Sequence, residues 1–390
     1  MRDDNRENAC THASYTVASL TSPYGRRFRA ALWECNLKIA QIAPLYEAVP
    51  PKLYGGTERV VAWLTDALVD AGHDVTLFAS AEAQTRAELV SVRDQAIRLD
   101  PAILKSDLAA HMSMLHDVRR RMDEFDVLHF HVDMIQFPFF EDSASKTLTT
   151  LHGRLDLKDL PGVYRRWNQF PLASISNDQR RPLRNANWMG TVHHGLPATL
   201  LPFNANPRGD YLAFLGRISP EKRVDRAIAI ARRVGMPLKI AAKVDGQDKA
   251  YYEREIAPLL HGASDVTFVG EIGDAQKPEF LGNAAALLFP IDWPEPFGIV
   301  MIEAMACGTP VVAWRCGSVP EVIDEGETGR IVDNEDDAVA ATREVMRYDR
   351  AAVRAVFERR FTSAVMAERY VRLYSQLARG RSQDLGLRLA

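Results

Sequence analysis

Cysteine is scarce in this 390-residue chain: Cys10, Cys35, Cys307 and Cys316 are the only four, and no two of them stand in a CxxC spacing. That excludes a zinc-ribbon layout and a disulfide framework, and two of the four lie in stretches that read as buried core. Long hydrophobic runs are missing as well. No stretch of about 18 uninterrupted apolar residues argues for a transmembrane helix, and the first forty residues lack the apolar segment of a secretory signal. The expectation is a cytoplasmic enzyme with reduced thiols. Charge of one sign is not in excess either, because a net charge of -3 leaves no global basic field for nucleic acid. One stretch, Arg154 to Arg184, is locally basic through Arg165, Arg166, Arg180 and Arg181. It reads as a solvated face, or else as a dock for an anionic acceptor or lipid surface, which leaves peripheral membrane contact open. No GxGxxG occurs, so nothing supports a nicotinamide or flavin site. A convincing DxD pair is also lacking, which fits a site that works without a metal.

What is present is the composition of a globular protein, 47% hydrophobic and 25% charged, with material for two cores. Residues 1–36 are polar and aperiodic and read as a poorly ordered N-terminal extension. From Leu37 a buried strand (LKIAQIAP), an amphipathic helix closed by Gly72 (ERVVAWLTDALVDAG) and a second strand (DVTLFAS) form a β-α-β unit. DVLHFHV, KTLTTLHG and PLASIS continue the alternation, which predicts a parallel sheet with helices on both faces. A Pro-, Asn- and Gly-rich linker, LPFNANPRGD, ends this first domain, residues 37–203. The alternation then restarts with YLAFLG, PLKIAAK, VTFVGEI, ALLFPI and PVVAW, giving a second domain over 204–363. The fold class is therefore α/β, with two Rossmann-like doubly wound domains facing a central cleft. Ligands in such sheets bind beyond the carboxyl ends of the strands. A last helix, about 364–380, has an apolar stripe that needs a surface to cover.

The segment DWPEPFGIVMIEAMACGTPVV, residues 292–312, holds a carboxylate, Glu303, inside an otherwise apolar helix. The Pro-rich turn ahead of it fixes Glu295 beside the helix start. The helix N-terminus, with Gly298 allowing close approach, suits a phosphate. Glu303 lies five residues beyond Gly298, about 7.5 Å of helix rise. An unpaired buried carboxylate costs several kcal/mol, so Glu303 needs donors. Ribose hydroxyls would serve, as would an Arg or backbone amide of the fold itself. In LGRISPEKRVDRAI, Arg217 and Lys222 follow a strand end, with Ser219 as a helix cap and Pro220 after it. Two cations there suit a diphosphate, Arg as a bidentate fork and Lys as a point charge. Gly55 and Gly56 in PKLYGGTERVV permit close backbone approach at another helix start, with Thr57 as its cap. Among the histidines near strand ends, His152 before Gly153 stands out from a merely structural reading.

Taken together, EPFGIVMIEAMACGTPVV, FLGRISPEKR, VTFVGEI, GSVPEVI, ETGRIV and the GGTE loop resemble the retaining glycosyltransferases of family four over about residues 37–380. The resemblance implies the GT-B architecture, with the C-terminal helix crossing back to the first domain. It also implies a hexosyl transfer from a nucleoside diphosphate sugar (UDP-, GDP- or ADP-linked) to an acceptor hydroxyl on a glycan, lipid or small metabolite, with no cofactor and no nucleic-acid partner. By the same resemblance Arg217 and Lys222 hold the donor diphosphate and Gly298 and Ile299 offer it amides. Glu295 contacts the transferred sugar, Glu303 the ribose, and His152 the sugar near the reacting centre. Gly55 and Gly56 close near phosphate and acceptor. His131 and Asp133 match the acceptor side more loosely. AAKVDG departs from the family's glycine-rich strand end, which makes Lys243 an added donor-site cation.

Three rival readings separate on observable grounds. A glycosidase needs carboxylates flanking the bond from opposite sides, whereas Glu295 and Glu303 belong to one turn and helix. A sugar-nucleotide epimerase of the same two-domain shape is the enzymatic alternative, and it would convert a donor with no acceptor present. A non-catalytic nucleotide-sugar binder would not require Arg217, Lys222, Glu295 and Glu303 together.

Overall fold

The computed structural model describes residues 36–52 and 55–389. The reading of residues 1–36 as a poorly ordered extension falls almost entirely outside this set.

Beginning at Leu37, the first lobe runs β1 (Lys38–Ile42), α1 (Gly56–Asp70), β2 (Asp74–Ser80), β3 (Glu88–Arg93), α2 (Asp107–Arg121), β4 (Val127–Phe130), β5 (Thr147–Thr150), α3 (Leu160–Arg166), β6 (Leu172–Ser174) and β7 (Trp188–Thr191). These strands form one seven-stranded sheet in the order β3-β2-β1-β4-β5-β6-β7, and every pairing is parallel. The second lobe runs β8 (Leu212–Arg217), α4 (Val224–Val234), β9 (Leu238–Lys243), β10 (Val266–Gly270), α5 (Lys277–Gly282), β11 (Ala286–Phe289), α6 (Ile299–Ala306), β12 (Val311–Trp314), α7 (Val319–Val322) and β13 (Gly329–Val332). Its six strands order as β10-β9-β8-β11-β12-β13, again all parallel. In each sheet the winding direction reverses, between β1 and β4 and between β8 and β11, and at such reversals the loops leave a crevice.

The strands predicted from buried runs are all present. Three others escaped that reading. β3 is only partly buried along its length, and β7 is partly buried throughout and begins with the bulky Trp188. β13 is a four-residue strand, Gly-Arg-Ile-Val, that carries a charge. None of the three shows a continuous apolar run, and each lies at the edge of its sheet.

Alternation within the first sheet decides its two faces. Ala40, Ile42, Leu128 and Phe130 point to the core shared with α2. Ile39, Val127 and Leu148 point to the opposite core, which continues into the second lobe. Gln41, His129 and Thr150 fall on this second face by the same period of two, and all three are buried.

After β13 come α8 (Glu335–Val345), α9 (Arg350–Arg360) and α10 (Ser363–Leu389). The chain crosses back between lobes at 361–363, directly beside its first crossing: Leu196 N–H donates to Phe361 O at 3.0 Å and Ser363 N–H to Leu196 O at 2.9 Å. α10 then packs on α1 and β4, which gives its apolar stripe the surface that the sequence demanded. Tyr370 and Tyr374 on it are fully buried. Among the described residues, no helix is long and apolar enough to cross a membrane.

Candidate active site

A cleft of about 580 Å³ lies between the carboxyl ends of the two sheets, within the size range of small-molecule sites. Gly55, Gly56, His152, Arg217, Lys222, Lys243, Glu295, Gly298, Ile299 and Glu303 all line it. His131 and Asp133 do not. His131 stands one layer behind the lining, buried, with His152 Nε2 2.9 Å from its Nδ1. Asp133 has a left-handed backbone (φ 56°) outside the cleft.

The helix carrying Glu303 is short, Ile299–Ala306, and begins at Gly298 with φ 76°. A side chain at Gly298 would bring a Cβ within 2.8 Å of Met301 Cε and 3.1 Å of Phe289 Cζ, so the residue is glycine for both backbone and space. Glu303 is 4% exposed and its Oε1 accepts from Lys277 Nζ at 2.6 Å. The donor is therefore neither an arginine nor a backbone amide but a lysine from α5. Lys277 also pairs with Asp274 at 3.1 Å, and Asp274 is in turn gripped by Arg59 from α1 of the opposite lobe. The chain Glu303, Lys277, Asp274, Arg59 thus ties the two walls of the cleft. Sequence reasoning did not pick out Lys277, because a Lys before a Pro in a short helix looks like surface. An apolar helix with one carboxylate does imply a buried cation somewhere, and that is the signal that was available.

Glu295 is held from three sides. Lys222 Nζ forms an ion pair with its Oε2, Trp293 Nε1 donates to the same oxygen at 2.9 Å, and the backbone carbonyl accepts from Ser318 N at 3.0 Å. Lys222 stands 5.0 Å from the Trp293 ring centroid, a cation-π distance. Ser318 also donates from Oγ to Phe297 O at 2.7 Å. The stretch GSVPEVI is therefore the clamp of the EPFG turn. Its Gly317 packs so closely on Pro294 and Glu295 that a Cβ there would lie 2.3 Å from Glu295 O.

Arg217 is surrounded by carboxylates: Glu221 at 2.6 Å, Asp248 at 3.4 Å and Asp245 at 3.6 Å. Lys243 pairs with Asp245 at 2.8 Å. Both cations face the cleft, yet each is engaged, so an incoming anion must exchange for an existing partner. Ser219 does occupy the cap position before Pro220, but it leads into a 3-10 turn of only three residues, and its side chain makes no cap hydrogen bond. At the other helix start, Gly55 is the cap and Gly56 the first helical residue, with Thr57 already inside α1. A would-be Cβ at Gly56 lies 3.9 Å from Ile299 of the facing lobe, an ordinary van der Waals contact, so the loop meets that lobe without requiring glycine at this position.

The polar residues of the first lobe complete the site. His152 stacks on His194 with ring centroids 5.3 Å apart. Burial lowers both imidazoles, His152 to about 3 and His194 well below the ordinary value, so both are neutral. Gln179 Nε2 donates to Leu151 O and Gly153 O, each at 2.8 Å, and so pins the carbonyls on either side of His152. Glu58, buried at the start of α1, also lines the cleft, and desolvation raises its carboxyl despite hydrogen bonds from backbone amides. Nearby, Glu321 on α7 bridges the lobes. Its Oε2 accepts from Asn177 N at 2.8 Å and His193 Nε2 at 3.2 Å, and its Oε1 from Asp178 N at 2.8 Å. The locally basic stretch is largely self-neutralised at its ends, with Arg154 on Asp156 at 2.6 Å and Arg181 on Asp178 at 2.9 Å.

Known proteins share both halves of this arrangement. Residues 202–355 match the model of glycosyl transferases group 1, and residues 54–187 match that of glycosyltransferase family 4. The chain is 27% identical to a phosphatidyl-myo-inositol mannosyltransferase of Mycolicibacterium smegmatis, across 78% of this chain and 83% of that one. It is 25% identical to the Mycobacterium leprae protein of the same name, across 88% and 97%. Among solved structures, a sucrose-phosphate synthase from Thermosynechococcus elongatus superposes with a TM-score of 0.71 at 19% identity, covering 87% of this chain and 99% of that one. An Anabaena protein solved with UDP and glucose gives 0.67 at 16% identity, covering 87% and 100%. At such identities the structural likeness speaks for the fold: two parallel Rossmann-like sheets on either side of a cleft.

Proposed function

The chain belongs to the group 1 glycosyltransferases of the GT-B fold, and from that premise we propose that it moves a hexosyl group, with retention at the anomeric carbon, from a nucleoside diphosphate sugar to an acceptor hydroxyl. The observation that carries this reading is the Lys222–Glu295 pair, set beside Gly298 at the start of α6 and facing the glycine loop of the other lobe. In it, a cation for a departing phosphate and a carboxylate for sugar hydroxyls share one wall.

In this reading the donor diphosphate takes over Lys222 and Arg217 from their carboxylate partners, and the amides of Gly298 and Ile299 complete its cradle. Charge developing on the leaving diphosphate is then met by fixed cations and by the helix start, with no metal needed. Glu295, released from Lys222, turns to hydroxyls of the transferred sugar. Glu303 takes the ribose hydroxyls. The acceptor enters along the first lobe, past His152 and Glu58, and attacks from the leaving-group side with a donor phosphate oxygen taking its proton. Closure of the lobes excludes water and limits donor hydrolysis. The names of the two mannosyltransferase relatives put an inositol-bearing lipid in the acceptor panel beside glycans and small polyols.

The test is a panel of UDP-, GDP- and ADP-sugars, each assayed for slow hydrolysis, for thermal stabilisation and for transfer to the acceptor panel. Proton NMR then assigns the anomer of the product. One nucleotide should be preferred, the product should keep the donor's anomeric configuration, and donor alone should not be isomerised. Lys222→Ala should abolish transfer. Full activity in that variant, or no response to any donor, would overturn the proposal.

A further inference from the structure

Ten large apolar side chains are exposed among the described residues, and half of them are neighbours in the chain. Leu99, Ile103, Leu104, Leu108 and Met112 lie on the loop from β3 to α2 and on the first two turns of that helix. Ile103 is 96% exposed and Leu104 94%. Along α2, Met114, Leu115 and Val118 form the buried stripe, while Leu108 and Met112, four residues apart, share a line of the helix that faces water. Single exposed leucines are ordinary on a protein surface, but a cluster of them marks a contact. This cluster is fastened to the cleft. Ile97 N–H donates to Leu45 O at 2.8 Å and Arg98 N–H to Tyr46 O at 3.0 Å. Leu45 N–H donates to Nε2 of His111 on α2 at 3.2 Å, and the Tyr46 and His111 rings lie 5.2 Å apart. Tyr46 and Arg98 themselves line the cleft. Both loops leave the carboxyl ends of their strands, so the apolar rim borders the cleft mouth on the side of the first lobe.

The shape of the cluster says what covers it. Ile103 and Leu104 keep nearly all of their surface, so neither leans on a neighbour and the pair forms a tip, not a groove or a flat face. The five side chains offer apolar surface on the order of 400 Å², about half of the roughly 800 Å² that each partner brings to a stable protein–protein contact. A bilayer needs no matching pocket, because fluid acyl chains close around a tip that enters the headgroup boundary by about 5–10 Å. The charges beside the tip agree. Asp100 is held by Arg93, and Glu47 by Arg98 at 3.1 Å. Lys105, next after Leu104, forms no ion pair among the described residues, and its Nζ donates to Asp100 O at 2.5 Å. A lysine beside an apolar tip suits the phosphate layer of a membrane. Asp107 at the start of α2 offsets part of that charge, so apolar burial has to supply most of the affinity.

We propose that the first lobe docks on a lipid bilayer through residues 99–112, with Ile103 and Leu104 entering its apolar boundary. The cleft then opens toward the membrane surface and takes its acceptor hydroxyl from a lipid headgroup there. The acceptor half of this proposal rests on the transferase reading, whereas the docking itself does not depend on which reaction is catalysed. Because Ile103 and Leu104 touch almost nothing in the fold, they can be changed without disturbing the core or the donor site.

The experiment is co-sedimentation of the full chain with vesicles of phosphatidylcholine, alone and mixed with phosphatidylglycerol. Wild type should bind both, the anionic vesicles up to about tenfold better. The double variant Ile103→Asp, Leu104→Asp should lose vesicle affinity by about a hundred-fold, while Met346→Asp, at an exposed apolar position of the second lobe, should bind like wild type. The double variant should keep its thermal stabilisation by the donor and lose transfer to a lipid acceptor held in vesicles. Wild type that ignores both kinds of vesicle would overturn the proposal, as would a double variant that binds them unchanged. A dimer in sedimentation velocity that the double variant abolishes would also overturn it, by assigning the rim to a second copy of the chain. Vesicle binding through Ile103 and Leu104 without transfer to any acceptor would leave the docking standing and remove the transferase reading. Transfer to a small polyol by a chain that ignores vesicles would do the reverse.

Discussion

Replacing Glu303 by Gln tests the site most directly, because the structure allows its two consequences to be separated. The Glu303 carboxylate and the Lys277 ammonium are 2.6 Å apart, and both residues are nearly fully buried. At an effective dielectric of about 20 the gross attraction is about 6 kcal/mol, and desolvation of the two ions offsets most of it. In Glu303→Gln the amide oxygen still accepts from Lys277, and Asp274 at 3.1 Å still neutralises it. The stability loss in urea unfolding should therefore be small, about 1 to 2 kcal/mol. Lys277→Met is the contrasting case. It leaves a buried carboxylate without a cation and should lose about 3 to 5 kcal/mol. The double variant should recover part of that, a coupling of about 1 to 3 kcal/mol. Donor binding responds differently. Ribose hydroxyls bonded to a carboxylate contribute about 1.5 to 3 kcal/mol, so Glu303→Gln should raise the donor Kd by roughly ten- to a hundred-fold in titration calorimetry, with kcat at saturating donor within a few-fold of wild type. An unchanged Kd together with a collapsed kcat would refute the assignment of Glu303 to binding and make it part of the chemistry.

Three further perturbations test the same geometry. Gly317→Ala forces a Cβ to within 2.3 Å of Glu295 O at a left-handed position (φ 55°). It should cost about 1 to 3 kcal/mol in unfolding assays and reduce kcat on the order of a hundred-fold, while Gly326→Ala, where a Cβ meets open space, should spare activity. Arg350 serves Gly282 O and Thr309 Oγ1 at 2.8 Å, Asn204 O and Ala284 O at 3.1 Å, and Cys307 O at 3.3 Å. Arg350→Ala should destabilise by about 3 kcal/mol or more in urea unfolding, and Arg350→Lys should rescue only part of it, since an ammonium has three donors where the guanidinium has five. Acid should weaken the fold early. His129, His131, His152 and His194 are all lowered by burial, so below the unfolded value of about 6.5 the unfolded chain binds protons that the folded chain refuses. Stability present above about pH 6.5 should then be lost as pH falls, by about 1 kcal/mol per histidine between about pH 7.5 and 5.5, several kcal/mol for the cluster. Urea midpoints at the two pH values test this, and a flat profile over that interval would contradict the neutral, buried cluster.

The share of this protein that its sequence alone determined is the share governed by local chemistry. Periods of two and 3.6, the Gly and Pro punctuation and the buried runs suffice for two parallel α/β lobes, because each strand and helix carries its own pattern. The EPFG turn, Glu295, Glu303, Arg217 and Lys222 were legible for the same reason: a carboxylate in an apolar helix and cations at a strand end are local anomalies. What tertiary structure alone decided is which partner answers each anomaly. Lys277 reaches Glu303 across 26 positions and Arg59 reaches Asp274 across 215. Tyr374 meets Gln41 across 333. Such pairings depend on which helix crosses which strand, and no spacing in the chain encodes that. His131 shows the difference at one residue. The family resemblance matched it loosely to the acceptor side, and the alternation does turn it to the same sheet face as Gln41 and His129. Only the fold revealed that it lies buried between His152 and Gln41, a link behind His152 instead of a wall of the cleft.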